Sequence, residues 1–136
     1  MIGIIIVTHE SLGDAYRSLA EHFFPEPPES VMLVGVERTE DHDDIIRHIL
    51  TMIKDADHGR GVLVLTDIFG ATPCNAARKM VVPGKVAMLT GLNAPMLIKA
   101  VQYAPAATDL AVFTENVRQA AINGIIAITT PPEEGC

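Results

Sequence analysis

Four short runs of apolar, largely β-branched residues recur along the chain: Ile2–Val7 (IGIIIV), Val31–Val36 (VMLVGV), Val62–Thr66 (VLVLT) and Val86–Leu89 (VAML). Each is continuous rather than alternating, the pattern of a strand buried on both faces. The segments between and after them carry helical signals. Behind a Ser11 cap, Leu12, Ala15, Leu19 and Phe23 recur at helical spacing until Pro25 stops them. Thr39 and the acidic run Glu40–Asp44 open a second helix, where negative charge suits the N-terminal dipole, and Ile45, Ile46, Ile49, Leu50 and Ile53 form its buried face. Thr72-Pro73 has the cap and first residue of a third. Two more are predicted over Pro95–Tyr103 and Asp109–Asn123, and Gly124–Thr129 (GIIAIT) closes as a short strand. Strands alternating with helices require right-handed crossovers, hence a mostly parallel sheet covered on both faces.

For 136 residues this means one domain, residues 1–130, with 131–136 a frayed tail. The expected architecture is α/β, a flavodoxin-like doubly wound sheet of strand order 2-1-3-4 with the C-terminal strand at an edge. In that order strands 1 and 3 are neighbours, and ligands bind in the crevice at their carboxyl ends. The site is therefore predicted just after Val7 and just after Thr66, before any motif is considered.

Composition narrows what the site can serve. Ten Lys and Arg against seventeen Asp and Glu leave a net charge of −7, and the basic residues are scattered, so no stripe tracks a phosphate backbone or an anionic membrane. The six-residue run at the start is too short for a signal peptide or a membrane span, which points to a cytoplasmic protein without membrane insertion. Two cysteines, Cys74 and Cys136, exclude a disulfide scaffold and a CxxC pair. Walker, GxGxxG, HExxH and GxSxG motifs are missing.

The residues at the two strand ends are Thr8-His9-Glu10 and Asp67-Ile68-Phe69-Gly70-Ala71-Thr72-Pro73. A carboxylate at Asp67 accepting Nδ1–H would fix the His9 tautomer and leave the Nε2 lone pair for attack. Gly70 allows close backbone approach, and Thr72 with the free N–H groups of the Pro73 helix start forms an anion site. Nucleophile, orienting carboxylate and phosphate cradle together point to a phosphohistidine. Taken singly each has an ordinary explanation: a solvated strand-end histidine, a loop-capping aspartate, a helix start. Elsewhere, His42 and His48 among Asp41, Asp43 and Asp44 read as a solvated helix start rather than a metal cluster. Cys74, at a helix start beside the site, reads as a small packing residue rather than an activated thiol.

The stretches VTHE (7–10), LTDIFGATPCNAA (65–77) and GLNAPML (91–97) resemble the EIIA domain of the mannose/fructose/sorbose family of the bacterial phosphoenolpyruvate:sugar phosphotransferase system (PTS). The likeness runs over nearly the whole chain, with the motifs in the family's order and spacing. By that resemblance His9 is the phosphorylated histidine, Asp67 its hydrogen-bonding partner, and Ile68, Phe69, Gly70, Ala71 and Thr72 the phosphate-binding loop. Thr72 stands where many members carry Ser, Ala71 where sugar-transport members often carry Gly, and Cys74 where they often carry an aromatic. A related domain of dihydroxyacetone kinase systems carries a Met-Gly-Ser-type loop, which this chain lacks. The resemblance implies a phosphotransferase without cofactor or metal: phospho-HPr as donor, a separate EIIB protein as acceptor in sugar uptake, and a homodimer built through the C-terminal strands. Two alternatives stay open at this level, a regulatory phosphoprotein that transports no sugar and a module that binds a small anion without covalent chemistry.

Overall fold

A computed structural model describes residues 1–24, 31–36, 41–68, 75 and 77–131 of the chain. Strand β1 (Gly3–His9) is flanked by β2 (Val31–Val36) and β3 (Val62–Thr66), and β3 pairs in turn with β4 (Val86–Leu89). The pairings between these strands are all parallel and the sheet order is β2-β1-β3-β4. The register sets Val7 opposite Val34 on one side and Thr66 on the other, so β1 and β3 end almost level.

Among the described residues four long helices accompany the sheet: α1 (Leu12–Phe23), α2 (His42–Ala56), α3 (Ala94–Tyr103) and α4 (Leu110–Asn123). None of the described helices is long and apolar enough to cross a membrane. The strands alternate their side chains between two cores. Ile2, Ile4, Ile6, Leu63 and Leu65 meet α1, α3 and α4 on one face; Ile5, Val7, Val62 and Val64 meet α2 and Ala77 on the other. That double burial is why the strands are apolar throughout.

Helix boundaries follow local chemistry. The Asn93 side chain accepts the Met96 N–H at 2.9 Å to start α3, with Pro95 in the first turn, and Asp109 accepts the Val112 N–H at 3.0 Å to start α4. At α1 the cap position is Ser11, whose side chain makes no capping hydrogen bond. Asp41 occupies that position in α2; Thr39 and Glu40 lie outside the described residues.

Two expectations need correction. The buried stripe of α1 is Gly13 and Ala20 with half-buried Tyr16 and Leu19, whereas Leu12, Ala15 and Phe23 are exposed. Small residues two turns apart let the helix close on the sheet, and a stripe of small residues carries little hydrophobic signal in the sequence. In α2, Leu50 likewise faces solvent, while Ile45, Ile49 and Ile53 are buried with Ala56. The second correction concerns Gly124–Thr129, which forms no strand: the chain leaves α4 at Gly124 and runs on irregularly. A strand exists only by pairing, and among the described residues none of the sheet's pairings includes this segment. Ile125, Ile126 and Ile128 are left 77%, 74% and 73% exposed. Beyond residue 131 the tail lies outside the described residues.

Candidate functional site

β1 carries His9 to its last position, and the chain then turns sharply. Glu10 adopts φ +50°, the left-handed region that costs a side-chain-bearing residue roughly 1–2 kcal/mol. The turn brings the Glu10 carbonyl over β2 at Gly35, where an added Cβ would stand only 2.8 Å from that oxygen. Glycine at 35 is thus a condition for the turn that follows His9.

Asp67 comes one residue after the end of β3, beside the end of β1. Its Oδ2 accepts both the His9 backbone N–H at 3.0 Å and the ring Nδ1–H at 2.9 Å. Its Oδ1 accepts the Ile68 N–H at 2.9 Å. Burial pushes the Asp67 carboxyl upward, but the His9 N–H, the His9 ring and the Ile68 N–H outweigh it, holding the group below the ordinary carboxylate value. An ionised carboxylate at this distance assigns the proton to Nδ1 and the lone pair to Nε2. The ring is 42% exposed and the carboxylate side chain only 6%. A half-open imidazole therefore stands on a buried charge that fixes its tautomer and orientation, the arrangement that activates a nitrogen nucleophile.

A third segment supports this pair. The corner after β4 begins at Gly91, whose φ of +75° suits glycine, and the Leu92 N–H donates to the Thr66 carbonyl at 2.9 Å. The Leu92 carbonyl accepts from the Tyr16 hydroxyl at 3.1 Å, and Asn93 Nδ2–H donates to the Ala121 carbonyl at 3.1 Å. The Tyr16 phenol is pushed up by burial and by the negative charge of Asp67. Just behind the site, the hydroxyls of Thr8 and Thr66 are fully buried without a hydrogen-bond partner among the described residues.

His9 and Asp67 are thus brought together across 58 positions. Ile68 is present with an exposed side chain, and its N–H is directed to the Asp67 carboxylate. Phe69, Gly70, Ala71 and Thr72 lie outside the described residues, as do Pro73 and Cys74. His42 Nε2 accepts from the Lys79 ammonium at 3.2 Å, an ordinary surface contact between α2 and the segment after Ala77. Among the described residues no three His, Cys, Asp or Glu side chains converge in a way that could hold a metal ion. Tyr16 is the participant that sequence reasoning missed. Its signal was present in the spacing Gly13-Tyr16-Ala20, a helical stripe masked by larger apolar residues on the opposite side.

A family model described as "PTS system fructose IIA component" (EIIA-man) matches residues 3–118. The mannose-specific EIIAB component of the PTS from Escherichia coli (strain K12) is 30% identical over 99 residues, which is 72% of this chain and 30% of that protein. The chain thus spans under a third of the length of the curated relatives it matches. Among solved structures, a phosphotransferase system component EIIA from Streptococcus agalactiae superposes with a TM-score of 0.83 at 27% identity, covering 93% of this chain and 97% of that one. The mannose/sorbose-specific IIA subunit from Enterococcus faecalis, 19% identical, superposes equally well over 98% of both chains and speaks for the fold.

Proposed function

This chain belongs to the EIIA-man family of PTS IIA components, and from that premise we propose that it is a phosphocarrier whose His9 accepts a phosphoryl group from phospho-HPr and passes it to an EIIB partner during uptake of a mannose-, fructose- or sorbose-type sugar. The observation that carries the reading is the 2.9 Å contact between His9 Nδ1 and the buried carboxylate of Asp67.

The chemistry follows from that contact. The Nε2 lone pair attacks phosphorus while the bond from phosphorus to the donor breaks, its electron pair leaving with the donor. Positive charge develops on the imidazole as the new N–P bond forms, and the Asp67 carboxylate at Nδ1 stabilises it. The Nδ1 proton stays where it is throughout, so no base has to be regenerated. Negative charge on the phosphoryl oxygens is met by the loop that begins at Ile68 and includes Phe69, Gly70, Ala71 and Thr72, through backbone N–H groups and the Thr72 hydroxyl. Onward transfer reverses the step, with an EIIB nucleophile taking phosphorus and His9 recovering its lone pair. Nucleophile and orienting group both belong to the chain, and the reaction calls for no cofactor. The partners of such a relay place the protein in the cytoplasm.

The same reading includes a homodimer. Ile125, Ile126 and Ile128 are exposed beyond α4, and β4 is an edge of the sheet. A groove of about 430 Å³ beside that edge is lined by Met88, Leu89, Gly91, Met96, Ile122 and Ile125 itself. The C-terminal segment of a second copy, added along β4, covers both sets of groups.

The test is incubation with phosphoenolpyruvate, Enzyme I and HPr, followed by intact-mass measurement. One added phosphoryl group, labile to acid and stable to alkali, is expected. No added mass under conditions that charge a known EIIA overturns the carrier reading.

A further inference from the structure

The corner at 91–97 stood out in the sequence, yet nothing in the phosphoryl-transfer step uses it. Its hydrogen bonds say what it holds. Leu92 is gripped at both polar groups: its N–H by the Thr66 carbonyl at the end of β3, its carbonyl by the Tyr16 hydroxyl of α1. Asn93 anchors the next residue to two helices, accepting from Met96 N–H in α3 and donating to the Ala121 carbonyl in α4. Tyr16, Leu92 and Met96 also pack in one apolar cluster with Ile4 and Ile6 of β1. The bond at Thr66 is the last fixed point of β3 before Asp67, and Asp67 takes both hydrogen bonds that orient His9.

We propose that Tyr16 is a positioning residue for phosphoryl transfer: through the Leu92 corner it fixes the end of β3, and so the carboxylate that sets the tautomer and aim of His9. Three segments distant in sequence (α1, the β4–α3 corner and the β3 end) meet in this chain of contacts. The phenol is suited to the part. It is half-buried against the core cluster, and the Asp67 charge lies near enough to influence it. Because the Tyr16 hydroxyl is spent on the Leu92 carbonyl, it takes no share of the Asp67 carboxylate, which keeps its bonds to His9 and the Ile68 N–H.

The inference rests on the phosphocarrier reading for its kinetic consequence, whereas its structural readout is independent of that reading. Tyr16→Phe keeps the ring in the cluster and removes the donor. In the unphosphorylated variant, nitrogen NMR of the His9 ring at mildly alkaline pH is expected to show a mixture of tautomers where the parent protein shows Nδ1–H alone. The rate of acceptance at saturating phospho-HPr should fall about two- to tenfold, the size of one lost hydrogen bond, with KM for the donor unchanged. Phe113→Leu, buried in the same cluster on α4, is the control for stability loss, and should leave both readouts alone. A Tyr16→Phe protein that melts earlier yet keeps a single tautomer and the parental rate makes Tyr16 merely structural and overturns the proposal. Equal changes in both variants overturn it too, since the effect is then general loosening. If the parent protein takes no phosphoryl group the carrier reading falls, and the tautomer measurement still decides whether Tyr16 positions His9.

Discussion

The carboxyl ends of β1 and β3 and the segment after α4 depart from the ordinary distribution of polar and apolar groups in opposite directions. At the strand ends Thr8, Thr66 and the Asp67 carboxylate are buried among apolar side chains. After α4, three isoleucines in four positions stand in solvent. Buried polarity is costly unless it is used, and exposed apolar surface is costly unless it is covered. The first region gathers its buried polar groups around His9, the residue proposed to carry the chemistry. The second leaves apolar surface that no described residue covers, which is the ground for the proposed second copy.

Breaking the first region at its centre has the largest consequence. His9→Ala is expected to abolish all relay-dependent phosphorylation while the fold persists, because a half-exposed residue at a strand end carries little packing. Mass mapping decides the matter: full labelling of the variant at His22, His42, His48 or His58 sinks the assignment.

Asp67→Asn comes next. The amide keeps the size of the carboxylate but can offer its own N–H₂ to Nδ1, which stabilises the tautomer with the proton on the attacking nitrogen. The equivalent change in a serine protease triad costs ~10⁴ in rate. A half-open imidazole exchanges tautomers through water, so the loss here should be smaller, measured as the rate of transfer from phospho-HPr. Wild-type acceptance and donation would show that Asp67 does not orient His9. The same variant has a signature in acid. The folded-state Asp67 lies below its ordinary carboxylate value, so it contributes stability that is fully present above that ordinary value and is lost as pH falls through the folded one. Removing the carboxylate should flatten that part of the curve of stability against pH.

How far these regions were legible in the sequence differs for physical reasons. His9 and Asp67 could be located because a parallel sheet places ligands at strand ends, and continuous apolar runs mark those strands plainly. Tyr16 could not, because the stripe that turns it inward is made of Gly13 and Ala20, residues whose burial leaves almost no hydrophobic trace. The strand expected at Gly124–Thr129 was a correct reading of β-propensity and an incorrect reading of place. Propensity says that IIAI fits a pleated surface, but a strand also has to be paired, and among the described residues no sheet pairing includes this segment.

The second region is tested by replacing Ile126 and Ile128 together with Ser. If a second copy covers this segment, the variant should sediment as a monomer at concentrations where the parent is dimeric, while phosphorylation of His9 is retained. A parent protein that is monomeric at all accessible concentrations removes the dimer proposal and leaves the isoleucines to another partner.

The smallest effect separates buried polarity that serves the site from polarity that is merely tolerated. Thr8 lies on the face of β1 that carries Ile4 and Ile6, and Thr66 on the face of β3 that carries Val62 and Val64, so the two hydroxyls sit in different cores on either side of the sheet. A buried hydroxyl without a partner costs about 1–3 kcal/mol, and valine has nearly the same shape without it. Thr8→Val and Thr66→Val should therefore each raise stability by about 1 kcal/mol, a few degrees in thermal midpoint for a chain of this size. Lying on opposite faces, they should combine additively. Thr51→Val is the contrast, since its exposed hydroxyl donates to the Arg47 carbonyl at 3.0 Å and its removal relieves nothing. If either core variant is instead less stable than the parent, its hydroxyl has a partner in solution, a buried water being the natural one, and that threonine is part of a satisfied polar network behind His9. If stability rises but phosphoryl transfer slows, the hydroxyl is kept at a stability cost because the site uses it, and the contrast between the two ends of the molecule is sharpened by one more residue.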